Sequence, residues 1–205
     1  MSVSPQDDPG GLLRAIGREH ALTPYRGSTD DPAPPAGGAV AAVSVILRAK
    51  ASNPELLLIE RAEYESDPWA GHMAFPGGRR SRADDTLLHT AVRETEEETG
   101  VDLARYGRQL GRLDPVRPES VRLPAVTILP LVFSVPETTK AVAASAEVER
   151  TFWIPISHFL DPSTETVHRL DVDGRILSFP ALAVTGGVVW GITRRILRNL
   201  LGYRG

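Results

Sequence analysis

Four glutamates crowd into the segment RETEEETG at residues 93–100, and their spacing is typical of a cation-binding site. Like charges at neighbouring helical positions destabilise a helix by roughly 0.2–0.5 kcal/mol per pair. A helix turns by about 100° per residue, which puts Glu94, Glu97 and Glu98 on one face and Glu96 on the far side. Three carboxylates on one face suit Mg²⁺ or Mn²⁺, which prefer oxygen ligands and commonly bind together with substrate phosphates. A solvated acidic face without a ligand is the alternative interpretation.

The loop PGGRRSRADD, residues 76–85, comes directly before these glutamates and adds a second feature suited to phosphate chemistry. Gly77 and Gly78 allow the backbone to approach an ion or ligand closely. Arginines in the same loop, Arg79 and Arg80 among them, could bind anionic oxygens, although an exposed loop without a ligand fits them as well. Loop and helix together predict metal-assisted attack of water on a phosphoanhydride.

The composition excludes several other kinds of chemistry. The chain of 205 residues contains no cysteine, which rules out thiol nucleophiles, disulfides and cysteine-based zinc sites, and which suits a reducing cytoplasm. The net charge of -3 provides no overall positive field and argues against a nucleic acid partner. The polar, acidic N-terminus is unlike a signal peptide, and no apolar run approaches the roughly 20 residues of a membrane span. We therefore expect a cytoplasmic protein that is not associated with a membrane.

The helix that carries the glutamates is predicted over residues 84–99, with Asp84 or Asp85 as its N-terminal cap and Gly100 as its C-terminal stop. Its second face is mostly apolar and is expected to pack on a sheet; this face comprises Leu88, Ala91, Val92, Thr95 and Thr99.

The rest of the chain divides into an N-terminal region, residues 1–38, and a domain, residues 39–205. The first region contains a predicted helix at 12–22 and a Pro/Gly-rich arm at 27–38. Strands are predicted at 39–47, 55–61, 108–116 and 125–135, and Pro130 is expected to put the last of these at a sheet edge or bulge. Residues 147–156 predict a strand that leads into a short helix at 157–160. A hairpin around Asp173-Gly174 and a closing helix at 188–203 complete an α/β sandwich with a mixed sheet.

The segment from Gly78 to Val101 resembles the Nudix hydrolase signature, G-x5-E-x7-R-E-U-x-E-E-x-G-U. Arg93-Glu94, Glu97-Glu98 and Gly100 match its second half, whereas Thr95 stands at the first U position and Asp85 stands where the pattern has Glu. The resemblance implies an α/β/α sandwich with a central mixed β-sheet. It also implies a pyrophosphohydrolase that depends on Mg²⁺ or Mn²⁺ and acts on nucleoside-diphosphate-linked compounds.

The resemblance also implies a role for each residue of the site. Glu94, Glu97 and Glu98 would ligate the metal, and Glu94 could instead orient or deprotonate the attacking water. Arg93 would hold Glu94 in place and pair with Asp85. Further metal ligands would be the Gly78 carbonyl and Glu147, for which a surface position without a role is equally compatible. The expected substrate-binding residues are Arg61, Arg79 and Arg80.

Within the family, FPGG at residues 75–78, the loop one residue longer than the signature and the run AEVERTFWIPISHFL look like the coenzyme A pyrophosphatase branch. Coenzyme A is therefore one expected substrate, while nucleotide sugars, ADP-ribose, dinucleoside polyphosphates and nucleoside triphosphates remain alternatives. A regulator that binds a nucleotide without hydrolysing it is a hypothesis of another class. We further hypothesise a homodimer, with the Pro-rich arm reaching across to the partner.

Overall fold

The computed structural model describes residues 22–48, 50, 53–63, 71–118, 125–172 and 174–202. The predicted N-terminal helix at 12–22 lies outside the described residues apart from Leu22, and so does Asp173 of the predicted hairpin.

A seven-stranded sheet forms the centre of the molecule. Its strands run in the order β3-β2-β1-β6-β5, while β4 pairs with β1 and β7 pairs with β2. Strands β1 and β6 are parallel and the remaining pairs are antiparallel, so the sheet is mixed, as predicted. The strands are β1 (Ala39–Arg48), β2 (Glu55–Arg61), β3 (Met73–Ala74), β4 (Gly77–Arg79), β5 (Arg108–Arg112), β6 (Val126–Val135) and β7 (Val148–Pro155).

A smaller antiparallel sheet and four helices surround the central sheet. The small sheet has the order β10-β9-β8, and its strands are β8 (Glu165–Val172), β9 (Arg175–Val184) and β10 (Gly187–Trp190). The helices are α1 (Leu87–Thr99), α2 (Leu103–Tyr106), α3 (Ile156–Leu160) and α4 (Gly191–Leu201), and short 3₁₀ turns occupy Ser28–Asp30 and Pro162–Thr164. Among the described residues, no helix has the length and apolar character needed to cross a membrane.

Two hydrophobic clusters cover the opposite faces of the central sheet. Because successive side chains of a strand point to opposite faces, Val45 and Leu47 of β1 pack in one cluster with Ile196 of α4. Ile46, between them in sequence, packs in the other cluster with Leu87 of α1. The sheet therefore lies between helical layers, which confirms the predicted α/β/α sandwich.

The predicted strands are confirmed, with two corrections to their surroundings. Strand β6 lies between β1 and β5, so the edge alternative predicted from Pro130 is wrong, whereas the pairing of β5 with β6 does shift register between Gln109 and Gly111. Pro130 itself lies past the end of that pairing, which stops at Arg112 opposite Leu131, and its carbonyl accepts a bond of 3.0 Å from the Leu113 N–H. The closing helix begins at Gly191 instead of residue 188, because the preceding residues form β10 and pair with β9.

The described residues that precede the predicted arm pack against the domain. Thr23 forms an isolated bridge with Arg112, and the two residues exchange N–H···O bonds of 3.0 and 2.8 Å. Leu22 packs against the hydrophobic cluster that contains α4, and Tyr25 packs against the cluster that contains α1. The homodimer and the division of the chain at residue 38 stay predictions.

Candidate active site

Helix α1 is defined by caps at both ends. The Thr86 side chain accepts a hydrogen bond of 3.2 Å from the His89 N–H, and Gly100 ends the helix with a φ of 67°, a left-handed conformation that suits glycine. The C-terminal stop is confirmed, whereas the predicted start at residue 84 is wrong. Asp84 and Asp85 lie in the preceding loop because Thr86 takes the capping position.

The buried face of α1 overlaps the acidic face, a feature that sequence periodicity missed. The buried residues are Leu87, Thr90, Ala91, Thr95, Glu98 and Thr99. Leu88 and Val92, predicted for the core, are half-buried, and Glu96 is exposed as predicted. Glu98 thus lies in the middle of the packed face. The acidic face and the apolar face, which were expected to be separate, both include this residue.

Glu98 is the most deeply buried carboxylate of the helix, with 3% of its surface exposed. Its Oε2 accepts a hydrogen bond of 2.8 Å from the Gly77 N–H of β4. Burial raises the pKa of Glu98 to about 8, because the loss of solvent outweighs the stabilising Gly77 N–H and the positive charge of Arg61. The negative charges of Glu94 and Glu147 raise the same pKa further.

The Glu94 carboxylate lies against the backbone of Gly78. A Cβ atom added at Gly78 would lie 2.4 Å from Glu94 Cδ, so glycine is the residue that leaves room for this side chain. Burial raises the pKa of Glu94, the neighbouring Arg93 opposes that rise, and the charges of Glu97 and Glu147 add to it.

Arg93 links the loop before α1 to the carboxylates of the helix. Its Nε and Nη2 donate to the two oxygens of Asp84 at 3.1 and 3.0 Å. Nη2 also lies 2.8 Å from Glu94 Oε1, and Nη1 lies 3.0 Å from Glu97 Oε2. Hydrogen bonding from Arg93 holds the pKa of the buried Asp84 well below its usual range.

The predicted pair of Arg93 with Asp85 is therefore wrong. The Asp85 side chain is 88% exposed, and its Oδ2 lies 3.7 Å from His89 Nδ1. Asp84 takes its place because two further groups of the loop and helix hold its carboxylate. The Ser81 N–H donates to it at 2.8 Å and the Thr90 hydroxyl at 3.0 Å, in addition to Arg93.

The charges of Arg61 and Glu147 act on the helix carboxylates. Arg61 ends strand β2, and its charge lowers the pKa of Glu98. Glu147 is exposed, its carbonyl accepts a bond of 2.9 Å from the Ala62 N–H, and its charge acts on both Glu94 and Glu98. Glu147 thus adds negative charge to the surroundings of Glu94 and Glu98 from outside the helix. Its role as a metal ligand stays a prediction.

The two arginines predicted to bind substrate differ in their surroundings. Arg79 ends strand β4 and is exposed. Arg80 Nε donates to the Asp84 carbonyl at 3.0 Å and Nη2 to the Asp85 carbonyl at 2.5 Å, while Nη1 lies 3.4 Å from Asp31 Oδ2. The Arg80 guanidinium is therefore engaged within the chain on the side of the loop that contacts the N-terminal arm.

The donor atoms of the site suit Mg²⁺ or Mn²⁺, although they are not arranged as a closed cluster. Across the described ranges, no group of three or more Asp, Glu or His side chains is already gathered around one point. Arg93 holds Glu94 and Glu97, and the Gly77 N–H holds Glu98. The charge of Glu147 raises the pKa of both Glu94 and Glu98, and the charge of Glu94 raises that of Glu98, so the site has negative charge that a divalent cation would balance.

Comparison with known proteins identifies the family of the chain. Residues 38–170 match the family model of the NUDIX domain. The chain belongs to the Nudix hydrolase family. An uncharacterised Nudix hydrolase, NudL of Yersinia pestis (strain Pestoides F), is 33% identical over 151 residues, which are 72% of this chain and 71% of that protein.

Two other similar proteins show how far the likeness extends. The uncharacterised protein C14C4.10c of Schizosaccharomyces pombe is 35% identical over 125 residues, which are 60% of this chain and 37% of that protein. The chain therefore spans little more than a third of that relative's length. A MutT/nudix family protein from Enterococcus faecalis has a crystal structure with a TM-score of 0.50 and 18% identity, over 80% of this chain and 60% of that one. At this identity the likeness shows the fold alone.

Thr95, which departs from the Nudix signature, has a hydrogen-bonding partner on the sheet. Its hydroxyl donates to Ser44 Oγ at 2.8 Å, and the Ser44 hydroxyl donates to the Ala91 carbonyl at 3.2 Å. Both side chains are fully buried, and the pair joins β1 to α1 where an apolar side chain is expected. The departure is thus compensated within the core.

Two residues of the site region were missed by sequence reasoning. Asp84 was considered only as a helix cap, and its neighbour Asp85 was chosen for Arg93 because the signature is counted along the chain. Asp31 had no signal, since its contact with Leu87 joins residues 56 positions apart.

Proposed function

We propose that this Nudix hydrolase cleaves the phosphoanhydride bond of nucleoside-diphosphate-linked compounds and depends on Mg²⁺ or Mn²⁺. The observation that carries the proposal is the pair of Glu94 and Glu98, whose carboxyl groups lie against the adjacent residues Gly78 and Gly77 of β4, with the charge of Glu147 acting on both. A pyrophosphate is itself an anion and would be repelled by these carboxylates. A divalent cation between them resolves the repulsion, and oxygen ligands from protein and phosphate are what Mg²⁺ prefers.

Each residue of the site has a proposed role in binding the cation or the substrate. Glu94, Glu97 and Glu98 would hold the cation, with Glu147 and the Gly78 carbonyl as further oxygen donors. When bound, the cation polarises the phosphoryl oxygens and lowers the pKa of a bound water. Arg93 orients Glu94 and Glu97 through the contacts described above. Arg61 and Arg79 contribute positive charge for the phosphates of the substrate.

In the alternative role proposed for Glu94, it accepts the proton of the attacking water instead of ligating the cation. Its position against Gly78, held by Arg93, fixes the direction in which it can accept that proton.

Replacing the buried and exposed carboxylates by their amides tests the proposal. We expect Glu98→Gln and Glu97→Gln each to lower kcat by roughly 10²-fold or more, because each loses a negatively charged oxygen ligand. Glu96→Gln is the matched control, since Glu96 is on the same helix, is exposed and points away from the site. Thermal unfolding checks that all three variants are folded. Full turnover in both Glu97→Gln and Glu98→Gln would refute the assignment.

The substrate is identified by a panel assayed with Mg²⁺ and with Mn²⁺, its products measured by mass. The panel contains coenzyme A, nucleotide sugars, ADP-ribose, dinucleoside polyphosphates and nucleoside triphosphates. Coenzyme A is included because of the FPGG segment and the lengthened loop. All compounds of the panel are assayed under the same conditions. Saturable binding of one compound without any phosphate-bearing product would support a nucleotide-binding regulator instead.

A further inference from the structure

Asp31 belongs to the N-terminal arm, outside residues 38–170 that match the Nudix family, yet it contacts the start of α1. Its Oδ2 accepts a hydrogen bond of 3.2 Å from the Leu87 N–H, the first residue of that helix. The N–H groups of the first helical turn have no partner within the helix, and a carboxylate there also interacts favourably with the helix dipole. Asp31 therefore acts as a capping group supplied by a distant segment.

The Asp31 carboxylate is largely buried, and a residue of the same N-terminal region holds it in place. Its side chain is only 7% exposed. The Tyr25 hydroxyl donates to Oδ1 at 2.7 Å. Burial, followed by the hydrogen bond and charge of Asp31, raises the pKa of Tyr25 to about 12, so the phenol keeps the proton that it donates. The arm thus presents Asp31 to the helix in one orientation.

A second set of contacts connects Asp31 to the loop before the helix. Arg80 Nη1 lies 3.4 Å from Asp31 Oδ2, and the same guanidinium donates to the carbonyls of Asp84 and Asp85. The Asp84 carboxylate in turn holds Arg93, which contacts Glu94 and Glu97. Hydrogen bonds and ion pairs, joined through the residue Asp84, therefore connect the arm to the carboxylates of the site.

We propose that Asp31 is a positioning residue for the metal-binding carboxylates of α1. The inference rests on the proposed function, because it concerns the same carboxylates. By fixing both the first turn of α1 and the loop that holds Arg93, Asp31 sets the direction in which Glu94 and Glu97 point. An error of about 1 Å in such groups is sufficient to lower turnover by up to 10²-fold.

Mn²⁺ binding to the full chain without substrate, measured by calorimetry, separates positioning from general stability. We expect Asp31→Ala to weaken Mn²⁺ binding severalfold and to lower kcat by about tenfold at temperatures well below its unfolding transition. Asp31→Asn keeps an oxygen acceptor for the Leu87 N–H and loses the charge for Arg80, so it should restore part of both values. Asp30→Ala is the matched control, because Asp30 accepts from the Arg26 N–H within the arm.

The outcomes distinguish this inference from the proposed function. If Asp31→Ala lowers only the unfolding temperature while Mn²⁺ affinity and kcat equal those of the wild type, the residue is merely structural and the inference is wrong. If Asp31→Ala does not fold, Arg80→Met tests the same link through the loop, and wild-type Mn²⁺ affinity in that variant overturns the inference. A wild-type chain that neither binds Mn²⁺ nor hydrolyses any compound of the panel overturns the proposed function itself.

Discussion

At the scale of single residues, the pair of Asp84 and Arg93 shows how loop geometry chooses between adjacent carboxylates. Helix α1 begins at Leu87, so both aspartates lie in the loop, and only Asp84 turns inward to the N–H of Ser81 and the hydroxyl of Thr90. These bonds stabilise the charged form of Asp84 before Arg93 is considered. Asp85 is left in solvent.

The depressed pKa of Asp84 predicts a specific dependence of stability on pH. A carboxyl whose pKa is lower in the folded than in the unfolded state stabilises the fold above its unfolded pKa, near 4, and loses this contribution as pH falls towards the folded pKa. Asp84→Asn should therefore lower the free energy of unfolding at pH 7 by roughly 1–3 kcal/mol. The difference from wild type should shrink progressively below about pH 4. Urea unfolding at several pH values measures it.

Asp85→Asn is the control for this experiment, because it makes the same chemical change one residue away on an exposed side chain. Its free energy of unfolding should stay within about 0.5 kcal/mol of the wild-type value. Equal effects of the two substitutions at pH 7 would contradict the assignment of Asp84 as the partner of Arg93.

At the scale of elements, the short strand β4 lies between α1 and β1 and contains two glycines, Gly77 and Gly78, that contact different groups. A Cβ atom at Gly77 would lie 2.2 Å from the Ala42 carbonyl oxygen of β1, and its φ of 149° is unfavourable for other residues. A Cβ atom at Gly78 would instead meet the end of the Glu94 side chain. Backbone cannot move aside cheaply, whereas the end of a side chain can.

These contacts predict that alanine at Gly77 lowers stability, whereas alanine at Gly78 lowers activity. Gly77→Ala should destabilise the protein by roughly 2 kcal/mol or more, because it strains the pairing of β4 with β1. Gly78→Ala should leave the unfolding temperature nearly unchanged and lower kcat by about 10²-fold, because Glu94 is displaced. Thermal unfolding and steady-state turnover of both variants check the prediction. An active Gly78→Ala enzyme would show that the position of Glu94 against Gly78 is not required.

At the scale of the whole molecule, the N-terminal region, whose described part is residues 22–38, contributes to both hydrophobic clusters. Leu22 packs on one face of the sheet and Tyr25 on the other, while Thr23 adds a bridge to Arg112 of β5. At the end of the arm, a Cβ atom at Gly38 would lie 2.3 Å from the Ala125 carbonyl oxygen, so the chain enters the sheet under close packing. Residues 27–38 were predicted as a Pro/Gly-rich arm, and Asp31 within them accepts a hydrogen bond from the Leu87 N–H of the domain.

A chain that begins at residue 39 should accordingly be less stable than one that begins at residue 22. Loss of the partial burial of Leu22 and Tyr25 would cost roughly 1–3 kcal/mol, apart from the hydrogen bonds of Thr23. We expect an unfolding temperature several degrees lower. Differential scanning calorimetry of the two truncated chains makes the comparison. Equal unfolding temperatures would show that residues 22–38 add nothing to the stability of the domain.

The features predicted from sequence are those that depend on neighbouring residues. The helix, its stop at Gly100, the strands β1 and β2 and the side of α1 that carries the acidic residues follow from periodicity and local signals over a few residues. For the same reason the contiguous signature predicted the family and the mixed α/β/α sandwich. These features are determined by short stretches of sequence, so local sequence signals are sufficient to predict them.

Tertiary structure decided the features that depend on distant residues. Glu98 is buried, and the groups that act on it there come from two strands: the Gly77 N–H of β4 donates to it, and the charge of Arg61 of β2 lowers its pKa. The choice of Asp84 over Asp85 depends on how the loop folds back, and the cap from Asp31 depends on where the arm lies on the finished domain. Periodicity assigns a carboxylate to a face of a helix, but the partners that hold it and set its pKa come from elements whose places are settled only when the sheet has formed.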